Sequence, residues 1–225
     1  MTTRAAGTAR APTFRQLQRR IPSCTGCPRL GSYLDSLRER FPDYWNRPVP
    51  GFGDREAPLA ILGLAPGLHG ANRSGRPFYL DASGEWLYGE LERLGLWDGQ
   101  QLRGAVILNA VKCVPPGNRP TLDEIDRCRS WLDLELSALP RIRTVLALGS
   151  IAHRTLLRQF EVRPMSRCPF RHGAVYRLPD RPVILSSYHP SRQNTQTGVL
   201  SRPMWRSILH RAVGLSLPVP AEPGA

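Results

Sequence analysis

Four short apolar segments constrain the fold of this chain more than any other feature of its sequence. They lie at residues 58–64, 105–111, 144–148 and 183–187, and a polar loop followed by a helix-forming stretch comes after each one. Segments that are apolar at nearly every position are typical of strands buried on both faces of a parallel sheet. The repeated strand–loop–helix order predicts an α/β fold with helices on both faces of such a sheet. An extra strand is expected within residues 173–178.

Caps and apolar periodicity predict the helices around these strands. The first prediction is a helical arm over residues 14–41 around the turn IPSCTGCPRL. Ser83 is the candidate N-cap of the next helix, and the capping-box pattern of Thr121 and Glu124 starts the one after it. A further helix is predicted over 151–159, and a last helix runs from the cap Ser201 to Val213. The Pro-, Gly- and aromatic-rich stretch FPDYWNRPVPGFGD is predicted to be an ordered loop.

The charge of the chain is strongly positive, with 31 Lys and Arg against 18 Asp and Glu and a net charge of +13. A cationic surface favours a nucleic-acid partner, because binding releases the counterions of the phosphates. The alternative is a basic enzyme with a small anionic substrate. No apolar run approaches the ~20 residues that span a bilayer, so no membrane association is predicted.

The two ends of the chain are predicted to lie outside the fold. Residues 1–13 are basic, contain no acid and lack the apolar core of a secretory signal. We expect a disordered basic tail over 1–13, with a transit peptide as the alternative, then a single domain over 14–215 and a flexible Pro-rich tail over 216–225.

We also expect the protein to be a monomer in the cytoplasm of a prokaryote, associated with the nucleoid.

Four of the five cysteines have the spacing of a metal or cluster site. Cys24 and Cys27 form a C-x-x-C pair, and Cys113 ends the segment LNAVKC, with 14 residues between it and Cys128. In a reducing compartment metal ligation is favoured over disulfides. Four thiolates suit tetrahedral zinc or a [4Fe–4S] cluster, and the spacing alone gives the cluster only a slight edge. Cys168 is predicted to be a plain thiol.

Polar loops follow three of the four predicted strands, and the carboxyl ends of parallel strands meet at one edge of a sheet. The glycines of the first loop let the backbone approach a ligand closely. The candidate ligand-contacting residues are Gly63, Ala65, Gly67, His69, Asn72, Arg73, Arg76, Phe78 and Asp81 in the first loop, Asn109 at the end of the second strand, and His189, Ser191, Arg192, Gln193 and Asn194 in the last.

Each of the main candidates also has a purely structural interpretation. Asp81 fits an Asx turn ahead of Ser83, and Phe78 fits a core anchor. Asn109 and His189 fit hydrogen-bonded residues at strand ends. One mechanism nevertheless needs all four residue types: a glycosylase stacks an extruded base on an aromatic ring, reads its edge with an amide, and stabilises both an anionic leaving base and a cationic sugar.

With these residues in view, the chain resembles the family 5 (type B) iron–sulfur uracil-DNA glycosylases. The similarity runs from about Cys24 to the last helix. It rests on GLAPGLHGANRSGRPF-x-x-DASG, on LNAVKC-x-PPGNRPT with C-x14-C, and on SSYHPSRQNTQTG. The related family 4 pattern reads GEAPG, with an acid where this chain has Leu64, so family 5 is the better match.

The resemblance implies a three-layer αβα fold with a central four-stranded parallel sheet and a structural [4Fe–4S] cluster on Cys24, Cys27, Cys113 and Cys128. It also implies that Phe78 stacks the flipped base, that Asn109 hydrogen-bonds it, and that His189 stabilises the departing uracil anion. Asp81 would orient water or stabilise the sugar cation. The backbone at Gly63, Ala65 and Gly67 would border the base, and Arg73, Arg76, Ser191, Arg192 and Gln193 would contact DNA.

The implied activity is that of a monofunctional glycosylase of base-excision repair, acting on uracil and on bases such as hypoxanthine, xanthine and hydroxymethyluracil. The chain departs from the family where GRPF-T-G-D becomes Phe78-Tyr79-Leu80-Asp81, which would alter the base pocket. A non-catalytic nucleic-acid-binding protein containing zinc or a cluster is the alternative. A zinc deaminase is disfavoured, because the chain contains no His-x-Glu element.

Overall fold

The computed structural model of the protein describes residues 11–218. Most of the predicted basic tail (1–13) and of the predicted Pro-rich tail (216–225) lies outside these described residues. Thr13, the last residue of the predicted basic tail, caps the first helix, and Ser216, the first residue of the predicted Pro-rich tail, ends the last helix. The division of the chain into one domain and two tails stays a prediction.

A six-stranded sheet forms the centre of the described chain, in the order β1-β3-β2-β4-β6-β5. Its strands are β1 (Phe52–Gly53), β2 (Leu59–Gly63), β3 (Ala105–Asn109), β4 (Thr144–Leu148), β5 (Val175–Tyr176) and β6 (Val183–Ser187). The four central strands, β3, β2, β4 and β6, are parallel neighbours. This confirms the four predicted strands and their parallel arrangement.

Two short antiparallel strands extend the sheet at its edges. β5 pairs with β6 and lies within the predicted extra strand at 173–178. β1 pairs with β3, so the prediction of a loop at this point was wrong. The pairing depends on Gly53, where φ is +132° and a Cβ atom would lie 2.5 Å from the carbonyl oxygen of Ala105. A two-residue strand built on a glycine has no periodicity that a sequence pattern can reveal.

The described helices are α1 (Phe14–Arg20), α2 (Pro28–Arg40), α3 (Ala71–Ser74), α4 (Ala82–Arg93), α5 (Leu122–Ser137), α6 (Ser150–Gln159), α7 (Arg192–Gln196) and α8 (Arg202–Ser216). The capping box of Thr121 and the cap of Ser201 are confirmed. Ser83 was wrongly predicted as a cap, because Asp81, two residues earlier, accepts the free N–H of Gly84 and so starts the helix sooner. The last helix continues three residues past Val213 to Ser216.

The alternation of side chains along the strands divides the core into two halves. Leu59 and Ile61 of β2 pack in the same cluster as the buried residues of α4 and α8. Ala60 and Leu62, on the other face of that strand, pack with α5 and α6. The fold is therefore the implied three-layer αβα arrangement. In the part of the chain that is described, no helix combines the length and the apolar character needed to cross a membrane.

Candidate active site

A cavity of about 690 Å³ opens at the carboxyl ends of the parallel strands. Three segments form its wall: the long loop between β2 and α4 with the start of α4, Asn118 from the segment between β3 and α5, and the segment that joins β6 to α7 with the start of α7. The lining residues are Leu64, Ala65, Pro66, Gly67, Leu68, His69, Gly70, Phe78, Leu80, Asp81, Ala82, Ser83, Asn118, His189, Ser191, Arg192 and Gln193. The parallel sheet thus brings together loops that are distant in sequence.

Gly63 is the last residue of β2 and directly precedes Leu64, the first residue of the cavity lining, but neither Gly63 nor Asn109 is itself part of that lining. Gly63 is the register partner of Asn109 on β3. A Cβ atom on Gly63 would lie 2.5 Å from Cε2 of Phe78 and 2.6 Å from Oδ1 of Asn109. Both side chains therefore occupy space that only a glycine leaves free, and they meet directly over the strand end.

Asn109 is 2% exposed, yet neither Oδ1 nor Nδ2 has a hydrogen-bond partner among the described residues. A buried amide without partners costs free energy, and most buried polar side chains avoid that cost. The amide instead keeps both a donor and an acceptor free beside the ring of Phe78. It is therefore prepared for a ligand that carries the complementary pair.

Phe78 and His189 form an aromatic pair whose ring centroids are 5.5 Å apart, with 31° between the planes. Burial lowers the pKa of His189 to about 4, although a part of its surface faces the cavity. The imidazole is therefore neutral near pH 7 and carries one N–H donor. Asn194 fixes the backbone at this point, because its Nδ2 donates to the carbonyl oxygen of His189 at 2.8 Å.

Asp81 has a structural role and also faces the cavity. One oxygen, Oδ1, accepts the N–H of Gly84 at 2.8 Å and caps α4. The other, Oδ2, lies so close to Gly70 that a Cβ atom there would be 2.2 Å away. Burial raises the pKa of Asp81, while bonds from the N–H groups of Gly84 and Ser83 oppose this effect. The carboxylate is thus held at a fixed position and partly removed from water.

The predicted DNA contacts fall into two groups. Ser191, Arg192 and Gln193 line the cavity at the start of α7. Arg73 is exposed outside the lining, with its guanidinium 5.5 Å from the ring centroid of Tyr44. Arg76 also lies outside the lining and packs over the rings of Phe52 and Tyr79 at 4.9 Å and 5.4 Å.

Three further residues of the first loop differ in their surroundings. Asn72 is buried, and its Nδ2 donates to Oδ1 of Asn46 at 2.8 Å, which holds the loop against the segment before β1. At the position where the chain departs from the family pattern, Leu80 lines the cavity, whereas Tyr79 packs edge-on against Tyr88 and Trp97.

The four predicted thiols converge on one side of this site. Cys24 precedes α2, Cys27 caps it, Cys113 follows β3 and Cys128 lies within α5. Burial raises the pKa of Cys128 to about 11, and the neighbouring thiolates of Cys27 and Cys24 add to the increase. Burial and the charges of the three other thiolates likewise raise the pKa of Cys113. Four groups that perturb one another in this way lie within electrostatic reach.

The surroundings of the thiols suit bound thiolates. The indole Nε1 of Trp131 donates to Sγ of Cys24 at 3.1 Å, and the backbone N–H of Lys112 donates to Sγ of Cys128 at 3.3 Å. Hydrogen bonds of this kind stabilise metal-bound sulfur. Within residues 11–218 no three His, Cys, Asp or Glu side chains are arranged closely enough to hold a single metal ion. The four sulfur atoms and the N–H groups that donate to them thus have the chemistry of a metal or cluster site, although the side chains are not arranged around a single ion position.

Cys168 lies apart from this set, as its sequence context suggested. It is buried in the core cluster that includes Ala152, Leu156 and Leu157 of α6. Its carbonyl oxygen accepts the Nε2–H of His153 at 2.8 Å.

The sequence did not predict a buried ion pair between Lys112 and Glu135, which contacts the backbone of Asn109. Lys112 is 1% exposed and Glu135 is 0% exposed, and their charged groups are in direct contact. The ammonium of Lys112 also donates to the carbonyl oxygen of Asn109 at 2.6 Å, and Oε1 of Glu135 accepts the N–H of Gly51 at 2.7 Å. The sequence contains one indication of this pair. Glu135 lies on the apolar stripe of α5 that Ile125, Cys128 and Leu132 form, and an acid at such a position is expected to be buried with a partner.

Comparison with known proteins identifies the family of the chain. Residues 50–211 match the family model described as the uracil DNA glycosylase superfamily. The chain is 46% identical over 209 residues to a type-5 uracil-DNA glycosylase of Thermus thermophilus, covering 87% of this chain and 95% of that protein.

More distant relatives have the same kind of name. A type-5 uracil-DNA glycosylase of Pyrobaculum aerophilum is 41% identical, with 86% of this chain and 89% of that protein covered. A type-4 uracil-DNA glycosylase of Archaeoglobus fulgidus is 31% identical, with 70% and 74% covered. The resemblance inferred from the motifs is confirmed, and the chain belongs to the uracil DNA glycosylase superfamily.

Proposed function

We propose that the protein is a monofunctional DNA glycosylase that hydrolyses the N-glycosidic bond of uracil in DNA and leaves an abasic site. The observation that carries the proposal is the buried amide of Asn109, which has no partner among the described residues. The ring of Phe78 lies beside it, and the neutral imidazole of His189 forms an aromatic pair with that ring. The names of the type-5 relatives support uracil as the base.

Uracil matches this amide because its edge carries a carbonyl oxygen beside an N–H. Nδ2 of Asn109 would donate to the carbonyl, and Oδ1 would accept the N–H. Cytosine reverses this pattern, so the wrong base would leave the buried amide unpaired. The ring of Phe78 would stack on the extruded base, and the backbone of Gly63, Ala65 and Gly67 would close around it.

His189 would act on the leaving group. When the glycosidic bond breaks, negative charge develops on the uracil, and a fixed N–H donor in a cavity that excludes water stabilises that charge. A neutral imidazole performs this role without the cost of burying a charge. Its low pKa, which results from burial, keeps it neutral throughout the physiological range.

Asp81 would act on the sugar and on the attacking water. Its capping bond to Gly84 fixes Oδ1, and the carboxylate lines the same cavity as Arg192, whose charge favours the ionised form of Asp81. An ionised carboxylate at this position would stabilise a cationic sugar and orient the water. The raised pKa of Asp81 also makes the carboxylate a better proton acceptor.

Water is the nucleophile in this proposal, and no amine takes part. Lys112 is the one lysine of the sequence, and it is buried in an ion pair with Glu135. A Schiff base would require this amine to leave its carboxylate and to lose its proton. The protein would therefore lack a lyase step.

We also propose that Cys24, Cys27, Cys113 and Cys128 hold a [4Fe–4S] cluster, with zinc as the alternative. When bound, the cluster would supply a cross-link between the arm of α1 and α2 and the segment that follows Asn109. The arm already docks through Arg29, whose guanidinium forms two bonds with Glu124 at 2.8 Å and 2.7 Å.

DNA is the proposed partner, and the protein would act as a monomer on the genome of a prokaryotic cell. Ser191, Arg192 and Gln193 would contact the backbone at the cavity, with Arg73 and Arg76 further out. Hypoxanthine, xanthine and hydroxymethyluracil are proposed as additional substrates.

A base-release assay tests the proposed function. The protein is incubated with matched oligonucleotides that contain uracil or thymine at one position. We expect alkali-labile sites from uracil alone and no strand cleavage before alkali is added. Binding to both oligonucleotides without release of any base from a panel of damaged bases would instead identify a non-catalytic DNA-binding protein. Cleavage without alkali would contradict the monofunctional mechanism.

A further inference from the structure

The side-chain amide of Asn109 is not oriented by hydrogen bonds of its own. Both of its polar atoms are buried and have no partner among the described residues. Most buried amides are held by such bonds, whereas this one keeps Oδ1 and Nδ2 free for a ligand. A group that must meet a ligand precisely has to be held by its surroundings, and for Asn109 this leaves packing and the backbone.

The peptide group that joins Asn109 to Ala110 is bound at both of its polar ends. Its N–H, which belongs to Ala110, donates to the carbonyl oxygen of Gly63 at 3.0 Å. Its carbonyl oxygen, which belongs to Asn109, accepts a hydrogen bond from the ammonium of Lys112 at 2.6 Å. Together these bonds fix the rotation of the peptide group, which sets the backbone ψ angle of Asn109 and so the direction in which its side chain leaves.

Lys112 is itself held by contacts with two other parts of the fold. Its ammonium contacts the buried carboxylate of Glu135, and its backbone N–H donates to Sγ of Cys128 at 3.3 Å, so both contacts lead to α5. Its carbonyl oxygen accepts the N–H of Val49 at 2.7 Å, and Glu135 accepts the N–H of Gly51 at 2.7 Å. The ion pair therefore connects the end of β3 to α5 and to the segment before β1.

Stability alone does not account for this ion pair. Taking both charges out of water costs free energy that their attraction only partly returns, and apolar residues of similar volume often give a protein that is equally stable or more stable. An apolar side chain at position 112 could fill the same space. It could not donate a hydrogen bond to the carbonyl oxygen of Asn109, and this bond is what the buried amine adds.

We propose that Lys112 is a positioning residue, whose ammonium, held by Glu135, orients the backbone of Asn109 so that the side-chain amide faces the edge of the extruded base. This inference rests on the proposed function and deepens it. The ammonium binds Glu135 and the backbone of Asn109 and has no contact with the base in this role. Its effect on the choice of base therefore passes through Asn109 alone.

Binding without cleavage tests the orientation of the amide. Two duplexes carry 2′-fluoro-2′-deoxyuridine or 2′-fluoro-2′-deoxycytidine opposite guanine, because the fluorine suppresses the sugar cation and keeps the base attached. Fluorescence anisotropy gives both Kd values, and their ratio is the uracil preference. Lys112→Met combined with Glu135→Gln removes both charges and the amine, while the glutamine keeps an oxygen for the N–H of Gly51. We expect the uracil preference to fall about tenfold. Lys112→Gln, a milder change with a shorter neutral side chain, should give a smaller fall.

The same double substitution in an Asn109→Ala background separates positioning from a general structural role. Once the amide is missing there is nothing to orient, so no further fall in the uracil preference should occur there. Glu135→Gln alone keeps the amine and should keep most of the preference. Glu90→Gln is the matched control and should leave it unchanged, because Glu90 is a buried acid on α4 that pairs with Arg206 at 3.6 Å.

An unchanged preference after loss of the amine, or an equal fall with and without Asn109, would overturn the positioning role. A fall in Glu135→Gln as large as that of the double variant would also overturn it. Failure of the proposed function gives a different result, since the wild-type protein would then release no uracil in the base-release assay and show no uracil preference in binding.

Discussion

The ring of Phe78 occupies the space that a side chain at position 63 would need, because a Cβ atom on Gly63 would lie 2.5 Å from its Cε2. The same Cβ atom would lie 2.6 Å from Oδ1 of Asn109. One glycine at the end of β2 therefore sets the positions of both groups proposed to hold the base.

Gly63→Ala should consequently reduce uracil release far more than it reduces stability. Moving the base-binding groups by about 1 Å costs about 100-fold in rate. We expect a fall of that size in kcat/KM, measured with single-uracil oligonucleotides. Gly89→Ala is the control, because a Cβ atom there meets nothing within 4 Å. Similar activities for the two variants would contradict the packing argument.

Asp81→Asn separates the two roles of this side chain. Asparagine caps helices about as well as aspartate, so the stability of the protein should change little. The ionised carboxylate is lost, and we expect kcat to fall by about 10² to 10⁴ with a much smaller change in DNA affinity. Single-turnover kinetics and a DNA-binding titration measure the two quantities. A parallel loss of affinity and rate would assign Asp81 to binding or folding.

The loss of activity at low pH should reflect the protonation of the Asp81 carboxylate. Burial raises the pKa of Asp81, so activity that requires the ionised form falls at a pH above the ordinary aspartate value of about 3.9. The profile of kcat/KM against pH measures this loss. The residual activity of Asp81→Asn should not show it.

His189 should make the folded state sensitive to acid. Its pKa is lowered to about 4, whereas an unfolded histidine titrates near 6.5. Between these values the unfolded chain binds a proton that the folded ring does not, so stability is lost as the pH falls through that window. From about pH 7 to about pH 5 this ring should cost about 2 kcal/mol of unfolding free energy.

Urea unfolding at the two pH values tests this expectation. The loss on acidification should be about 2 kcal/mol smaller in His189→Asn than in the wild type. Burial also lowers the pKa values of His153 and His172, so some loss should remain in the variant. His210→Asn, at an exposed position, is the control. An equal loss in wild type and His189→Asn would show that the ring titrates normally.

Removing one thiol should remove the proposed cluster. We expect Cys113→Ser to lose bound iron, acid-labile sulfide and visible absorption, and to unfold at a lower temperature. Cys168→Ser should keep all of these, because that thiol lies apart from the other four. Metal and sulfide analysis of the purified proteins decides the matter. A colourless wild-type protein with stoichiometric zinc would support the alternative metal.

The sequence predicted the parallel core well, because β2, β3 and β4 are buried at every position and so appear as unbroken apolar runs. It also predicted which loops carry Phe78, Asp81, Asn109 and His189, since strand ends in such sheets converge. It could not predict the pairing of Lys112 with Glu135, 23 residues away. The left-handed backbone of Leu80 was equally unpredictable, because only glycine signals that conformation in sequence.

The seclusion of Lys112 has a practical consequence. It is the one lysine among 225 residues, and its side chain is 1% exposed and bound to Glu135. Reagents that couple to primary amines, such as active esters, immobilisation resins and lysine cross-linkers, would therefore find almost no side-chain target on the folded protein. Labelling at the amino terminus should be nearly site-specific, and any modification of Lys112 would report that the region behind Asn109 had opened.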